Sequence, residues 1–140
     1  MGRVLAIDPG RVRVGLAVSD PLRITAQPLE VVPAGEAVER IKALCDDLEV
    51  DQIVLGLPVT ESGAVGEAAA RARALGDQVS AATGLPVEEV DERYTSRLAE
   101  NAMIEAGARR RIRRKNLDKI AAAMILRTYL DRPESNQEPV

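Results

Sequence analysis

At 140 residues the chain is long enough for one domain with a hydrophobic core, and its 46% hydrophobic and 29% charged residues are ordinary for a globular protein. It has no histidine, one cysteine, two tyrosines and neither phenylalanine nor tryptophan, which excludes a Ser-His-Asp triad, a Cys-His pair, a histidine zinc site, an intrachain disulfide and base stacking as a main binding mode. The net charge of −3 excludes a globally basic nucleic-acid binder, and the absence of a long apolar run or signal-peptide pattern predicts a soluble, cytoplasmic protein with no membrane partner.

The apolar run Val4-Leu5-Ala6-Ile7 shows no polar alternation, the pattern of a central strand covered on both faces. It ends at Asp8, and Pro9-Gly10 turns the chain into a second strand, Arg13 to Val18, antiparallel to the first. Gly15 inside that strand predicts a bulge or a close backbone approach. A third extended run, Ile24 to Val32, contains Pro28, which places it at an edge or interrupts it. The chain therefore opens with a three-strand antiparallel meander.

Between Glu36 and Glu49 the apolar residues Ala37, Val38, Ile41, Leu44, Cys45 and Leu48 have the spacing of an amphipathic helix, with Cys45 in the core. The strand Gln52 to Gly56 follows, and a strand–helix–strand crossover makes it parallel to the first. After a loop from Leu57 to Gly63, with Thr60, Glu61 and Ser62 exposed, a helix from Ala64 to Ala82 is predicted to bury Val65, Ala68, Ala72, Leu75 and Val79. Gly84 caps it, and Pro86 opens the strand Val87 to Val90. That strand runs into Asp91 and Glu92, which the pleat puts on opposite faces, so periodicity does not choose between them.

A helix from Thr95 to Ala106, with Leu98, Met103 and Ile104 as core residues, stops at Gly107. Next come Arg109, Arg110, Arg111, Arg113, Arg114 and Lys115, six cations in seven positions with no matching acid. Such a run is suited to phosphates, although a solubilising loop is its plainer reading. Asn116 is a cap for the last helix, Leu117 to Leu130, on which Asp118, Ala121, Ala122 and Ile125 share one face at i, i+3, i+4 and i+7. The domain thus spans residues 1–131, and residues 132–140 lack periodicity and read as a disordered tail.

Each acid has a plain structural reading: a turn aspartate at position 8, a solvated strand end at 91 and 92, a helix-dipole partner at 118. Together they suggest more, because three acids brought to one sheet edge repel one another unless a cation intervenes. Mg²⁺ and Mn²⁺ prefer carboxylate and water oxygens. Two such ions roughly 4 Å apart activate a water and stabilise the leaving oxygen in phosphodiester cleavage, chemistry that needs no histidine.

These residues resemble a known family. The element order is similar to the ribonuclease H-like fold, and the motifs resemble the YqgF family, related to the RuvC-type Holliday junction resolvases. The resemblance rests on Ile7-Asp8-Pro9-Gly10 with Val14-Gly15-Leu16-Ala17-Val18-Ser19-Asp20, on Val54-Leu55-Gly56-Leu57-Pro58, on Asp91-Glu92-Arg93-Tyr94-Thr95-Ser96 and on Leu117-Asp118-Lys119-Ile120-Ala121-Ala122. It implies an α/β fold, a mixed five-stranded sheet in which the meander is joined to parallel strands and flanked by helices. It implies that Asp8, Glu92 and Asp118 are catalytic and ligate Mg²⁺ or Mn²⁺, and that the cation run with Lys119 binds nucleic acid. The family is associated with maturation of the 5′ end of 16S ribosomal RNA, so RNA is the favoured substrate, with branched four-way DNA as the alternative and a homodimer left open. Tyr94 stands where leucine is usual, Leu117 where valine is common, and residues 59–63 lack the family's Asn-Met-Asp-Gly type of loop; all three leave the acids intact. Asp8-x-Gly10-x₄-Gly15 also resembles the phosphate loop of actin-like ATPases and sugar kinases, and a non-catalytic RNA-binding domain is a third reading.

Overall fold

The first strand runs through the middle of a mixed sheet and carries the residue on which the site is built. In this computed structural model, residues 2–58, 66–91 and 110–132 are described, without the side chains of residues 110–118. Among these residues the strands are β1 (Arg3–Pro9), β2 (Arg13–Ser19), β3 (Ala26–Pro33), β4 (Val50–Leu57) and β5 (Val87–Asp91), hydrogen-bonded in the order β3-β2-β1-β4-β5. The helices are α1 (Ala37–Leu48), α2 (Glu67–Thr83) and α3 (Arg110–Leu130). β1, β2 and β3 form the antiparallel meander, and β4 and β5 join it in parallel. β3 lies at the edge and is also interrupted, the two outcomes that Pro28 allowed. Pro28 pairs with Ala17 beside a register shift that leaves Leu29 as the extra residue of β3. The bulge therefore sits next to the proline, which has no N–H to give, and not at Gly15.

The continuous apolar pattern of β1 is explained by its two covered faces. Leu5 and Ile7 belong to a core with Leu16, Ile53 and Leu55 of the sheet, Ile41, Leu44 and Cys45 of α1, and Ala72 and Val79 of α2. Val4 and Ala6 belong to a second core with Ala17, Val54 and Val90, closed by Ala122, Ile125 and Leu126 of α3. Full burial of an aliphatic side chain contributes about 1.5–3 kcal/mol, so both faces of β1 hold the three layers together.

Two predicted helices are corrected. α2 begins at Glu67, with Val65 outside the described residues, and it buries Ala69, Ala72, Gly76 and Val79, while Ala68 is exposed and Leu75 half-buried. The rotation has a cause at Gly76. A Cβ there would come within 2.9 Å of Leu55 Cδ2 and 3.6 Å of Val87 Cγ1, so the glycine lets the helix approach the sheet closely. Gly84 ends α2 in the left-handed conformation, at φ 74°. The last helix starts at Arg110, and Asn116 lies within it instead of capping it. Arginine and lysine are good helix formers, so the cation run extends the helix ahead of this local start signal. The predicted loop residues Thr60, Glu61 and Ser62, the helix from Thr95 to Ala106 and residues 133–140 of the tail lie outside the described residues.

Candidate active site

Asp8 is half-buried near the carboxyl end of β1, where it shares the face of Val4 and Ala6, the face covered by α3. Its partner across the hairpin is Gly15. On the other side the ladder pairs Ile7 with Leu55, and one residue further along each strand sets Asp8 beside Gly56. The carboxylate is therefore flanked on its own face by two positions without side chains. Beyond it the chain must reverse at once. A Cβ on Gly10 would lie 2.1 Å from the Arg13 carbonyl oxygen, so only glycine permits this turn.

The acids of β5 separate by pleat. Val87 packs against the core beneath α1 and α2, whereas Val90 belongs to the core beneath α3. Asp91, exposed and paired with Leu57, has the parity of Val87 and so is turned away from the face of Asp8. Glu92 lies outside the described residues, as does Arg109. Arg110, Arg111, Arg113, Arg114 and Lys115 occupy the first turns of α3, and Lys119 is half-buried in its middle.

Asp118 precedes Ala121, Ala122 and Ile125 on the stripe of α3 that meets the sheet, and those three are 2%, 0% and 0% exposed. The direction of α3 is set at its far end. Arg127 donates to the carbonyl of Ile24 at 3.0 Å, and the neighbouring Arg23 donates to the carbonyl of Gly2 at 3.0 Å, at the start of β1. From Arg127 back to Asp118 the helix rises about 13 Å, and from Gly2 to Asp8 an extended strand covers about 20 Å. The amino half of α3, with Asp118, therefore runs toward the end of the sheet that carries Asp8.

The other conspicuous residues of the first motif are structural. Ser19 is 1% exposed. Its Oγ accepts from Val4 N–H at 2.9 Å and donates to the Asp20 carbonyl at 2.9 Å. The Val4 N–H points to β2 just beyond the last ladder pair, Leu5 with Val18, and the Ser19 hydroxyl takes the place of a backbone acceptor there. The Asp20 carboxylate accepts from the N–H groups of Ile24 and Thr25 at 2.7 and 2.8 Å, closing the turn before β3. The Thr25 bond, more than any other contact, holds its pKa below the ordinary carboxylate value. Cys45 is buried under α1, which pushes its thiol up to about 11 and leaves it a core residue instead of a nucleophile. Sequence reading passed over Gly56, whose signal was a residue without a side chain on the strand beside the acid.

Similarity to known proteins agrees with this geometry. The family described as "RuvX: Holliday junction resolvase" matches residues 2–132. A protein of Dictyoglomus thermophilum named "Putative pre-16S rRNA nuclease" is 42% identical over 132 residues, covering 92% of this chain and 95% of that one. A Streptococcus sanguinis protein of the same name is 40% identical over 136 residues, covering 93% and 98%. Among solved structures, Thermus thermophilus RuvC in complex with Holliday junction substrate superposes with a TM-score of 0.54 at 22% identity, over 92% of this chain and 94% of that one. That likeness is one of fold, and it covers the same mixed sheet with helices on both faces. By the extent of these matches, the chain belongs to the RuvX family.

Proposed function

We propose that this protein is a divalent-metal-dependent nuclease that hydrolyses phosphodiester bonds in RNA, its substrate the 5′ end of precursor 16S ribosomal RNA, with Asp8, Glu92 and Asp118 as catalytic ligands. The observation that carries the proposal is Asp8, half-buried on the α3 face between Gly15 and Gly56. The donor chemistry fits a hard cation: the chain has no histidine, and the buried Cys45 lies under the opposite face of the sheet. Bound there, Mg²⁺ or Mn²⁺ supplies an activated water and charge neutralisation at the scissile phosphate. Asp8 holds its oxygens at a fixed height because the residues before it are locked into both cores. Both flanking glycines are buried, so Asp8, itself half-buried, is the most accessible of the three positions. Asp91, turned to the far face, is the poorer candidate from β5, which favours Glu92. The cations from Arg110 to Lys115, with Arg109 before them and Lys119 after them, hold the phosphate backbone along the amino half of α3.

RNA is favoured over a four-way DNA junction by the names of the close relatives. The RuvC likeness and the family description support the junction as the second reading. Initial rates on a precursor ribosomal RNA end and on a mobile junction, at equal salt and metal, decide between them. Faster, metal-dependent cleavage of the RNA is the expected result. Paired symmetric nicks on the junction at a higher rate make resolvase the correct assignment.

A further inference from the structure

A second feature lies at the same end of the sheet but on its opposite face. Asp8 and Pro9 are consecutive, so the pleat turns Pro9 away from α3 and toward α2. There Pro9, Arg11, Pro58, Arg71, Leu75 and Gln78 line a groove of about 340 Å³ between the β1–β2 turn and α2. Its size is that of a small-ligand pocket.

The walls divide by chemistry. Pro9, Pro58 and the half-buried Leu75 form an apolar side, and Arg11 and Arg71 bring two cations to a chain whose net charge is −3. Neither arginine side chain takes part in an ion pair or hydrogen bond among the described residues, whereas Arg23, Arg40, Arg73, Arg127 and Arg132 are all ion-paired. Gln78 adds one amide, with both donor and acceptor capacity. Unpaired cations beside an apolar wall and one amide match a nucleotide: phosphate, base face and base edge.

We propose that this groove holds one nucleotide of the substrate strand, its phosphate between Arg11 and Arg71, its base against Pro9, Pro58 and Leu75, and its edge on Gln78. The inference rests on the nuclease reading. A strand crossing the carboxyl end of β1 is then cut on the α3 face and gripped on the α2 face. The grip sets the distance between an anchored nucleotide and the bond that breaks. Base recognition here uses aliphatic rings and side chains, consistent with a chain that has no phenylalanine or tryptophan.

The test measures binding of a short labelled single-stranded RNA with Ca²⁺, and cleavage with Mg²⁺, using the full chain. Arg11→Ala and Arg71→Ala should each weaken binding several-fold and reduce the salt slope by about 0.7 for each phosphate no longer held. Ala68→Phe, on the exposed rim, should weaken binding with the slope unchanged, because it fills the groove without altering charge. Arg40→Ala, equal in charge but paired to Glu30 away from the groove, should do neither. RNA carrying 4-thiouridine should crosslink to the groove. If wild type cleaves RNA while both arginine variants bind as wild type does, or if crosslinks map only elsewhere, the groove assignment is overturned and the nuclease reading stands. If Asp8→Asn retains full cleavage while the groove variants lose binding, the site assignment falls and the groove stands. If wild type neither binds nor cleaves RNA, both fall.

Discussion

Asp8 and Gly15 face each other directly across the β1–β2 ladder, on the side of the sheet that α3 covers. Gly15 is buried, so any other residue there would push a side chain against the carboxylate and what covers it. Gly15→Val should therefore lower turnover far more than stability. Overpacking costs about 1–3 kcal/mol, so the expected result is a melting temperature a few degrees lower with cleavage reduced at least tenfold. Turnover that falls only in step with the folded fraction shows that Gly15 serves packing alone.

Asp8→Asn preserves shape and removes the charge that, on the proposed reading, would hold a cation. Loss of an outer partner of a metal ligand typically costs 10–100-fold, and loss of a ligand's charge should exceed about 100-fold. Thermal stability without metal should stay at or above that of wild type, since acid–acid repulsion is relieved. Parallel assays of turnover and melting check both halves, and wild-type activity in the variant removes Asp8 from the site.

Arg113 and Arg114 lie in the first turns of α3. If they hold phosphates, replacing both with alanine should flatten the dependence of RNA affinity on salt, by about 0.7 of slope per phosphate on single strands. Titrations at several salt concentrations with Ca²⁺ read this directly. An unchanged slope would mean that these residues only keep the helix soluble.

Ser19→Ala should destabilise the fold without touching catalysis. It removes the acceptor for the buried Val4 N–H, and an unsatisfied buried donor costs about 1–3 kcal/mol. Urea unfolding should show that loss, with metal-dependent turnover of the folded protein at wild-type level.

Acid stability should depend on Asp20 and Glu30. Both have pKa values lowered in the folded state, Asp20 chiefly by the Thr25 N–H and Glu30 chiefly by its hydrogen bond from Arg40. A lowered carboxylate contributes stability that is complete above its ordinary value, 3.8 for Asp20 and 4.5 for Glu30, and is lost as pH falls through the folded value. The double variant Asp20→Asn, Glu30→Gln should lose stability at neutral pH and lose less of it on acidification. Melting curves from neutral pH down to about pH 3 check the sign; parallel acid limbs in the two proteins would refute it.

Much of this architecture is local chemistry and so could be read along the chain. The unalternating run Val4 to Ile7 announced a strand covered twice, Pro28 put β3 at the edge or interrupted it, Gly84 ended α2, and the crossover through α1 made β4 parallel. The acids at positions 8 and 118 were visible because a carboxylate at the end of an apolar strand, or on an apolar helical stripe, is costly without a reason. Local signals failed where a distant contact outweighed them. Asn116 looked like a cap until the helix propensity of the cations before it carried α3 through. Ala68 looked buried until the fit of Gly76 against Leu55 rotated α2. Periodicity states which residues share a face and says nothing about what covers it. Only the packing of α3 on Val4, Ala6 and Val90 therefore decided that Asp8 belongs to the α3 side and that Asp91 does not, and only the packing of α2 beside the β1–β2 turn brought Arg11 and Arg71 to one groove.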